Sequence, residues 1–436
     1  MPAGDPEPAD PLAQLIAGDY RDPQTGERLA AATRSIAIAD SLDGREAELV
    51  AALDVGHHLA LVADEDTYAA LGRRIERALD GRFAVQRIVL DRAPHADAAT
   101  LEQLAARLAP GTDAVVAVGS GTINDLCKLA ALGRGCPQLV FATAPSMNGY
   151  TSLSASITEG GLKRSVRAAT AVGAFFDLGV LAAAPVRLIR AGLGDSLCRP
   201  TAQADWLLSH LLLDRPYREA PFALLAADEP ALLGQARALV SGDLTAMRHL
   251  VRTLVLSGLG MTIAGGSYPA SQGEHLLSHY IDMMRPTGLP EALHGEQTGV
   301  CAFAMARLQD RILARTAPPV LLPTAVDRDA VIRRFGAERG EACWRELEPK
   351  RIDRDRAEQL NARLAAGWDA MRDRIRGVAL GAGRIHEVLT AAGAPVMPPD
   401  LGWPDALFED AVAHAREIRN RYTFLDFAAD LAPPPA

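Results

Sequence analysis

The sequence predicts an α/β N-terminal domain with a parallel, Rossmann-like sheet, followed by an all-α C-terminal domain. Three observations predict it. Short apolar runs alternate with helical periodicity as far as residue 143. One of those runs ends in a Gly-Ser-Gly turn that opens a helix. From about residue 186 onward helical patterns follow one another with no convincing strand between them.

The strands come in order. "SIAIAD" (35–40), "HLALVAD" (58–64), "FAVQRIVLD" (83–91), "DAVVAVGSG" (113–121) and "PQLVFAT" (137–143) are short, apolar and rich in Val, Ile and Leu. Between them "GREAELVAAL", "TYAALGRRIERALD", "ATLEQLAARLA" and "INDLCKLAAL" carry helical spacing. Apolar strands separated by helices imply βαβ units with right-handed crossovers. Residues 151–180 are less regular, contain Gly160–Gly161 and suggest a β-hairpin or meander. The segments "VRLIRAGLGDSLCRPTAQADWLLSHLLL", "LTAMRHLVRTLVLSGLGMTIA", "GEHLLSHYIDMM" and "GEQTGVCAFAMARLQDRIL" then read as helices.

Composition excludes several classes. The chain has 436 residues and a net charge of −9, with 49% hydrophobic and 23% charged residues. An acidic chain with no long basic run is a poor partner for nucleic acid or an anionic membrane. No apolar run reaches the roughly 18–20 residues of a membrane span. The start, "MPAGDPEPADPLAQL", lacks a signal peptide's basic region and apolar core and reads as a disordered tail over 1–15. Cys127, Cys136, Cys198, Cys301 and Cys343 are scattered and without CxxC spacing. Reduced thiols in a cytoplasmic protein are the expectation.

Ligands of parallel sheets bind at the carboxyl ends of strands. Those ends are Asp64, the 119–122 loop and the loop after Thr143. In "VAVGSGTINDLCK" (116–128) glycine lets the backbone approach a pyrophosphate, and the following helix offers free N–H groups. Asn124 stands where a GxGxxG motif would have its third glycine, so the turn alone is equally a plain βα connection. Asp64 suits a ribose diol or a helix N-cap.

The helical part holds "GEHLLSHYID" (273–282), which places His275 and His279 four apart, on one helix face. His294 follows in "LHGEQ", and Asp195 stands upstream in "AGLGDS". A catalytic divalent site takes about three protein ligands and an open position. Asp195 and His294 with one or both of His275 and His279 would supply it. The motif is not HExxH, because Glu274 precedes the first histidine. The chain therefore divides at 187/188: a nucleotide-binding domain over 16–187, then a helical metal and substrate domain over 188–436.

The ordered motifs "GSGTINDLCK", "TAPSMNGYTS" (143–152), "AGLGD" (191–195), "SYPASQGEHLLSH" (267–279) and "LHGEQ" (293–297) resemble the iron-dependent alcohol dehydrogenase, glycerol dehydrogenase and dehydroquinate synthase superfamily. Within it they are most similar to the sn-glycerol-1-phosphate dehydrogenase branch, AraM type included. "IRNRYTFLDFAADL" near the C-terminus also looks like that branch. The resemblance implies NAD(P)-linked hydride transfer between dihydroxyacetone phosphate and sn-glycerol 1-phosphate. Its alternatives are a dehydrogenase of another small polyol or alcohol, or a lyase that uses NAD transiently. It implies Asp195, His275 and His294 as ligands of one divalent metal, zinc or nickel, with iron in relatives. His279 and Asn148 fall beside the substrate. Gly119, Ser120, Gly121, Thr122 and Asn124 match the pyrophosphate site, and Thr143, Ser146 and Ser152 further cofactor contacts. Asp64 matches the ribose contact and favours NAD, with NADP as the alternative. A homodimer or higher homo-oligomer is also implied, with a small polyol or polyol phosphate as the only other partner.

Three departures stand out. Asn148 replaces the family's aspartate, keeping an acceptor but losing the charge. Tyr268 replaces an arginine and Gln272 a glycine. "VGAFFDLGVL" (172–181) replaces a run that usually contains proline. A lost arginine either weakens an anion contact or changes packing only. Lys163 and Arg164 are candidates for the phosphate, or a solvated hairpin tip.

Overall fold

The computed structural model describes residues 10–159 and 162–433. Ten strands are present among them. β1 (Tyr20–Arg21) and β2 (Arg28–Leu29) form a small antiparallel ladder. β3 (Ser35–Ala39), β4 (His58–Asp64), β5 (Ala84–Leu90), β6 (Ala114–Gly119), β7 (Gln138–Ala142) and β10 (Gly173–Asp177) form one sheet, ordered β3-β10-β7-β6-β4-β5. Every pairing in it is parallel. β8 (Ser154–Glu159) and β9 (Leu162–Arg167) form the antiparallel hairpin expected between residues 151 and 180. The side chains of Lys163 and Arg164 lie outside the described residues.

The five expected strands fall where their apolar runs predict. β6 and β7 are buried at every position, as continuous apolar strands covered on both faces should be. β10 is the strand that the alternation rule misses. It follows a hairpin rather than a helix, so no βα rhythm announces it. Its place between β3 and β7 is held by Asp177, which accepts the Leu42 N–H at 2.9 Å, pairs with Arg74 at 2.7 Å and caps the next helix through Val180 N–H at 3.1 Å.

The chain runs β4 to β5 towards one edge, then β6, β7 and β10 towards the other. The switch point lies between the carboxyl ends of β4 and β6, at Asp64 and Gly119.

Two compact units emerge from the contacts. One comprises the described residues up to Ser196 together with Arg218–Ser267; the other comprises Leu197–Tyr217 and the described residues from Tyr268 onward. The long helix Val186–Leu213 thus begins in the first unit and ends in the second, and the helix Leu244–Ile263 clusters with the sheet. The second unit is helical among its described residues, around a core that includes Leu276, Leu277, Tyr280, Trp344, Trp368 and Phe427. Part of the segment read as a tail is ordered. Pro11–Ala17 is a helix capped by Asp10, with Leu15 fully buried, and Asp10 bonds Arg252 at 2.7 Å. Pro at the first helical position and an acidic cap outweigh the Pro-rich composition that suggested disorder.

Candidate functional site: a strand-end crevice and a histidine cluster

At the switch point β6 ends in Gly119 and the helix Gly121–Arg134 begins at once. A Cβ on Gly119 would stand 2.5 Å from the Ile123 Cβ, so only glycine allows this tight turn. Ser120 is the helix N-cap and makes no side-chain capping bond. Thr143 donates its N–H to the Gly119 carbonyl at 3.1 Å, tying the β7 exit to the glycine turn. Asp64, at the end of β4, accepts the Thr67 N–H through Oδ1 at 2.8 Å, so the helix-cap reading of this residue holds. Asn124 is fully buried and turned into the fold: its amide donates to Asp125 at 3.0 Å and its Oδ1 accepts from Gln138 at 3.4 Å. Ser152 is also internal, donating to the Gly149 and Ser154 carbonyls at 3.1 Å each. Ser146 and Asn148 are half-buried on the loop after β7.

That loop is clamped by two glycines. On the long helix, a Cβ at Gly192 would lie 1.7 Å from the Pro145 carbonyl oxygen. On Leu244–Ile263, a Cβ at Gly258 would lie 2.2 Å from Thr151 Oγ1 and 2.5 Å from the Asn148 carbonyl oxygen. The close approach brings the Asn148 N–H to Asp195 Oδ2 at 2.8 Å and the Asn148 amide to Ser257 Oγ at 3.3 Å. Asp195 itself is 1% exposed. Its carboxylate is therefore aimed by the loop after β7.

In the second unit three imidazoles converge. Ring centroids of His275 and His294 are 5.0 Å apart, His275 and His279 6.0 Å, and His279 and His294 6.2 Å. Helices Gly273–Met284 and His294–Leu313 hold them in register. Ser278 Oγ donates to Gln297 Oε1 at 2.6 Å, and the Gln297 amide donates to Asp282 at 2.9 Å. Buried Glu274 sets the orientation of His275. Its Oε1 lies 2.9 Å from His275 Nδ1 and accepts the Gln272 N–H at 2.8 Å, while Oε2 accepts from Thr201 at 3.2 Å. A proton on Nδ1 directs the Nε2 lone pair away from Glu274, the arrangement that metal-ligating histidines use. Asp205, wholly buried, accepts the Gly273 N–H at 2.9 Å and the Phe424 N–H at 2.9 Å. Burial, and then the charge of Glu274, push its pKa up to about 8.

A model of the iron-containing alcohol dehydrogenases matches residues 37–185. The glycerol-1-phosphate dehydrogenase (NAD(P)+) of Bacillus velezensis is 31% identical over 375 residues, which is 85% of this chain and 84% of that one. That of Halalkalibacterium halodurans is 30% identical, over 84% of this chain and 85% of that one. The chain belongs to the glycerol-1-phosphate dehydrogenase family of iron-containing alcohol dehydrogenases. Glycerol dehydrogenase from Schizosaccharomyces pombe shares the fold, with a TM-score of 0.56 at 16% identity over 87% of this chain and 97% of that one.

One residue of this family member escaped the motif reading. Lys128 is 1% exposed, and its amine donates to the carbonyls of Gly149 (2.6 Å), Ser152 (2.8 Å) and Ser154 (3.3 Å). It pins the far end of the loop that carries Asn148. The lysine is visible in "NDLCK", but its burial depends on β8 crossing the helix, which no local pattern announces. Burial pulls its pKa down to about 8 from 10.5, against the pull of Asp125. Between those values the unfolded chain retains a proton that the folded chain has lost, so stability rises with pH there. Lys128→Met should flatten that rise, measured as urea midpoints of both proteins at about pH 8 and about pH 10. The same pH slope in both would remove the lysine from the account.

Among the described residues no helix is long and apolar enough to cross a membrane. The five cysteines form no disulfide.

Proposed function

We propose that this chain interconverts dihydroxyacetone phosphate and sn-glycerol 1-phosphate by NAD(P)-linked hydride transfer at a divalent cation held by Asp195, His275 and His294. The observation that carries the metal reading is His275, a buried histidine whose Nδ1 is held by a buried carboxylate and whose ring faces two more imidazoles. Asp195 adds to it through helix geometry. It stands one turn before Cys198 on an unbroken helix, and Cys198, Glu274 and His275 bring ligand-type atoms within 4.8 Å of one another. One carboxylate and two imidazoles suit zinc, nickel or iron.

When bound, the cation polarises the substrate carbonyl, and the nicotinamide gives or takes the hydride. The chain's own residues do the rest. Glu274 fixes the His275 tautomer. The Asn148 N–H orients Asp195, and the Asn148 side chain positions substrate hydroxyls. An imidazole nitrogen of His279 exchanges the proton that the alcohol oxygen gains or loses. The glycine turn and the helix start at Gly121 receive the cofactor pyrophosphate. Asp64 stands at the ribose position, where a carboxylate favours NAD over a 2′-phosphate.

The test is NAD(H)-coupled turnover on protein of assayed metal content, with dihydroxyacetone phosphate, dihydroxyacetone, glycerol and both glycerol phosphates. Turnover should be greatest with the phosphorylated ketone and should vanish on metal removal while the circular dichroism spectrum persists. Full activity after exhaustive chelation would sink the metal reading. Activity confined to unphosphorylated polyols would sink the substrate.

A further inference from the structure

His275 has two nitrogens, and they face different company. Nδ1 lies 2.9 Å from Glu274 Oε1, so Nε2 points away from that carboxylate. A sulfur joins the carboxylate. Cys198, Glu274 and His275 offer ligand-type atoms that all lie within 4.8 Å of one another, and all three residues are buried. Among the described residues Cys198 is the one cysteine in such a group. It comes from the helix Val186–Leu213, whereas Glu274 and His275 open the helix Gly273–Met284. All three belong to the second unit.

The hydrogen bonding leaves the group room to take a cation. The Cys198 thiol donates to the Ala270 carbonyl at 3.3 Å. The single Thr201 hydroxyl proton is divided between the Cys198 carbonyl at 2.8 Å and Glu274 Oε2 at 3.2 Å, so Oε2 keeps lone-pair capacity. Ligand atoms around a tetrahedral zinc stand about 3.3–3.6 Å apart, so side-chain shifts of about 1 Å close the set. Thiolate and carboxylate together carry two negative charges. A divalent cation cancels them, and a neutral group is what burial tolerates. Arg421, a cation coupled to Glu274, is coupled to Glu346 as well, and Asp205 adds a second carboxylate beside Glu274.

We propose that Cys198, Glu274 and the Nδ1 of His275 form a second, inhibitory site for a thiophilic divalent cation of the zinc class. The two sites exclude each other, because each needs a different tautomer of one ring. With its proton on Nδ1, facing Glu274, the ring offers Nε2 to the cation of the function proposed above. With a cation on Nδ1, the proton moves to Nε2 and His275 is lost to catalysis. The thiol releases its proton to solvent as the sulfur–metal bond forms, and the ring stays neutral throughout. Asp195, His275 and His294 offer only oxygen and nitrogen, so sulfur alone distinguishes the second site and selects softer ions for it. This adds a control to the site proposed above and rests on that reading.

The experiment titrates Cd2+ into full-length wild type and Cys198→Ser, each loaded with the catalytic metal. Two signals are followed: the near-ultraviolet sulfur-to-metal absorption, and turnover of dihydroxyacetone phosphate with NADH. In the wild type the absorption should rise to one thiolate per chain while turnover falls over the same range of Cd2+. Cys198→Ser should lose that absorption and need at least about tenfold more Cd2+ for the same inhibition, the loss of one ligand. Without Cd2+ its kcat should stay within about twofold of wild type. Cys198→Ala should behave as Cys198→Ser does, and replaces it should the serine variant fail to fold. Identical inhibition curves in wild type and variant, or sulfur absorption that survives in Cys198→Ser, would overturn the second site and leave the proposed function standing. A wild type that turns over no ketone would overturn the proposed function, and the absorption titration would still decide whether Cys198 takes the cation.

Discussion

His275→Ala is expected to empty the metal site, whereas His279→Ala is expected to keep it and lose rate. His275 carries the features of a ligand: it is buried, its Nδ1 is held by Glu274, and its nearest imidazole is His294 at 5.0 Å. His279 is half-buried and about 6 Å from both. Metal per chain, measured after dialysis against a weak chelator, should fall towards zero in the first variant and stay near the wild-type value in the second. kcat in the second should drop about 10²- to 10⁴-fold, the usual worth of a positioned proton donor or acceptor. Glu274→Ala should lie between them in metal affinity, weaker by about 10- to 100-fold, as outer partners of ligating histidines usually are. Equal metal loss in His275→Ala and His279→Ala would instead mean that both rings ligate.

Gly192→Ala is expected to have the largest effect of any single-methyl change. The new Cβ would occupy the space of the Pro145 carbonyl oxygen, 1.7 Å away. That neighbour is backbone, so no rotamer change relieves the clash. The helix and the 143–152 loop would have to separate, which parts the Asn148 N–H from Asp195. Overpacking costs about 1–3 kcal/mol where side chains can yield, and here the cost should exceed that range. Urea midpoints should fall accordingly, and metal affinity should fall with them because Asp195 loses its aim. Gly133→Ala is the control. It lies near the end of the helix Gly121–Arg134 with nothing within 4 Å of its Cβ position, and should stabilise by up to about 1 kcal/mol. Equal midpoints for Gly192→Ala and wild type would refute the close packing.

The apolar runs of the N-terminal half were legible because a buried parallel strand must be apolar at nearly every position, whatever surrounds it. "AVVAVG" and "HLALVAD" therefore announce β6 and β4, and the order of turns places Gly119 and Asp64 at strand ends. The histidine pair was legible for a similar reason, since i and i+4 share a helix face in any context. β10, "GAFFD", is as buried as β6 and β7 but was not legible, because it follows the β8–β9 hairpin rather than a helix and the strand–helix alternation does not announce it.

By itself, then, the sequence determined the elements whose cause is local: strand composition, helix period, glycine turns and the histidine pair on one helix face. Tertiary structure alone decided what depends on a second segment arriving. Asn124, matched to a pyrophosphate loop, is spent inside the fold because Gln138 of β7 meets it there. Lys128 becomes an internal anchor only when the loop carbonyls of Gly149, Ser152 and Ser154 close on it. Gly192 and Gly258 matter because carbonyl oxygens of Pro145 and Asn148 stand 1.7 and 2.5 Å from where a side chain would begin. Arg421 reaches Tyr268 across more than 150 residues of chain. Each of these is a pairing between groups distant in sequence, and only the folded path of the chain sets which donor meets which acceptor.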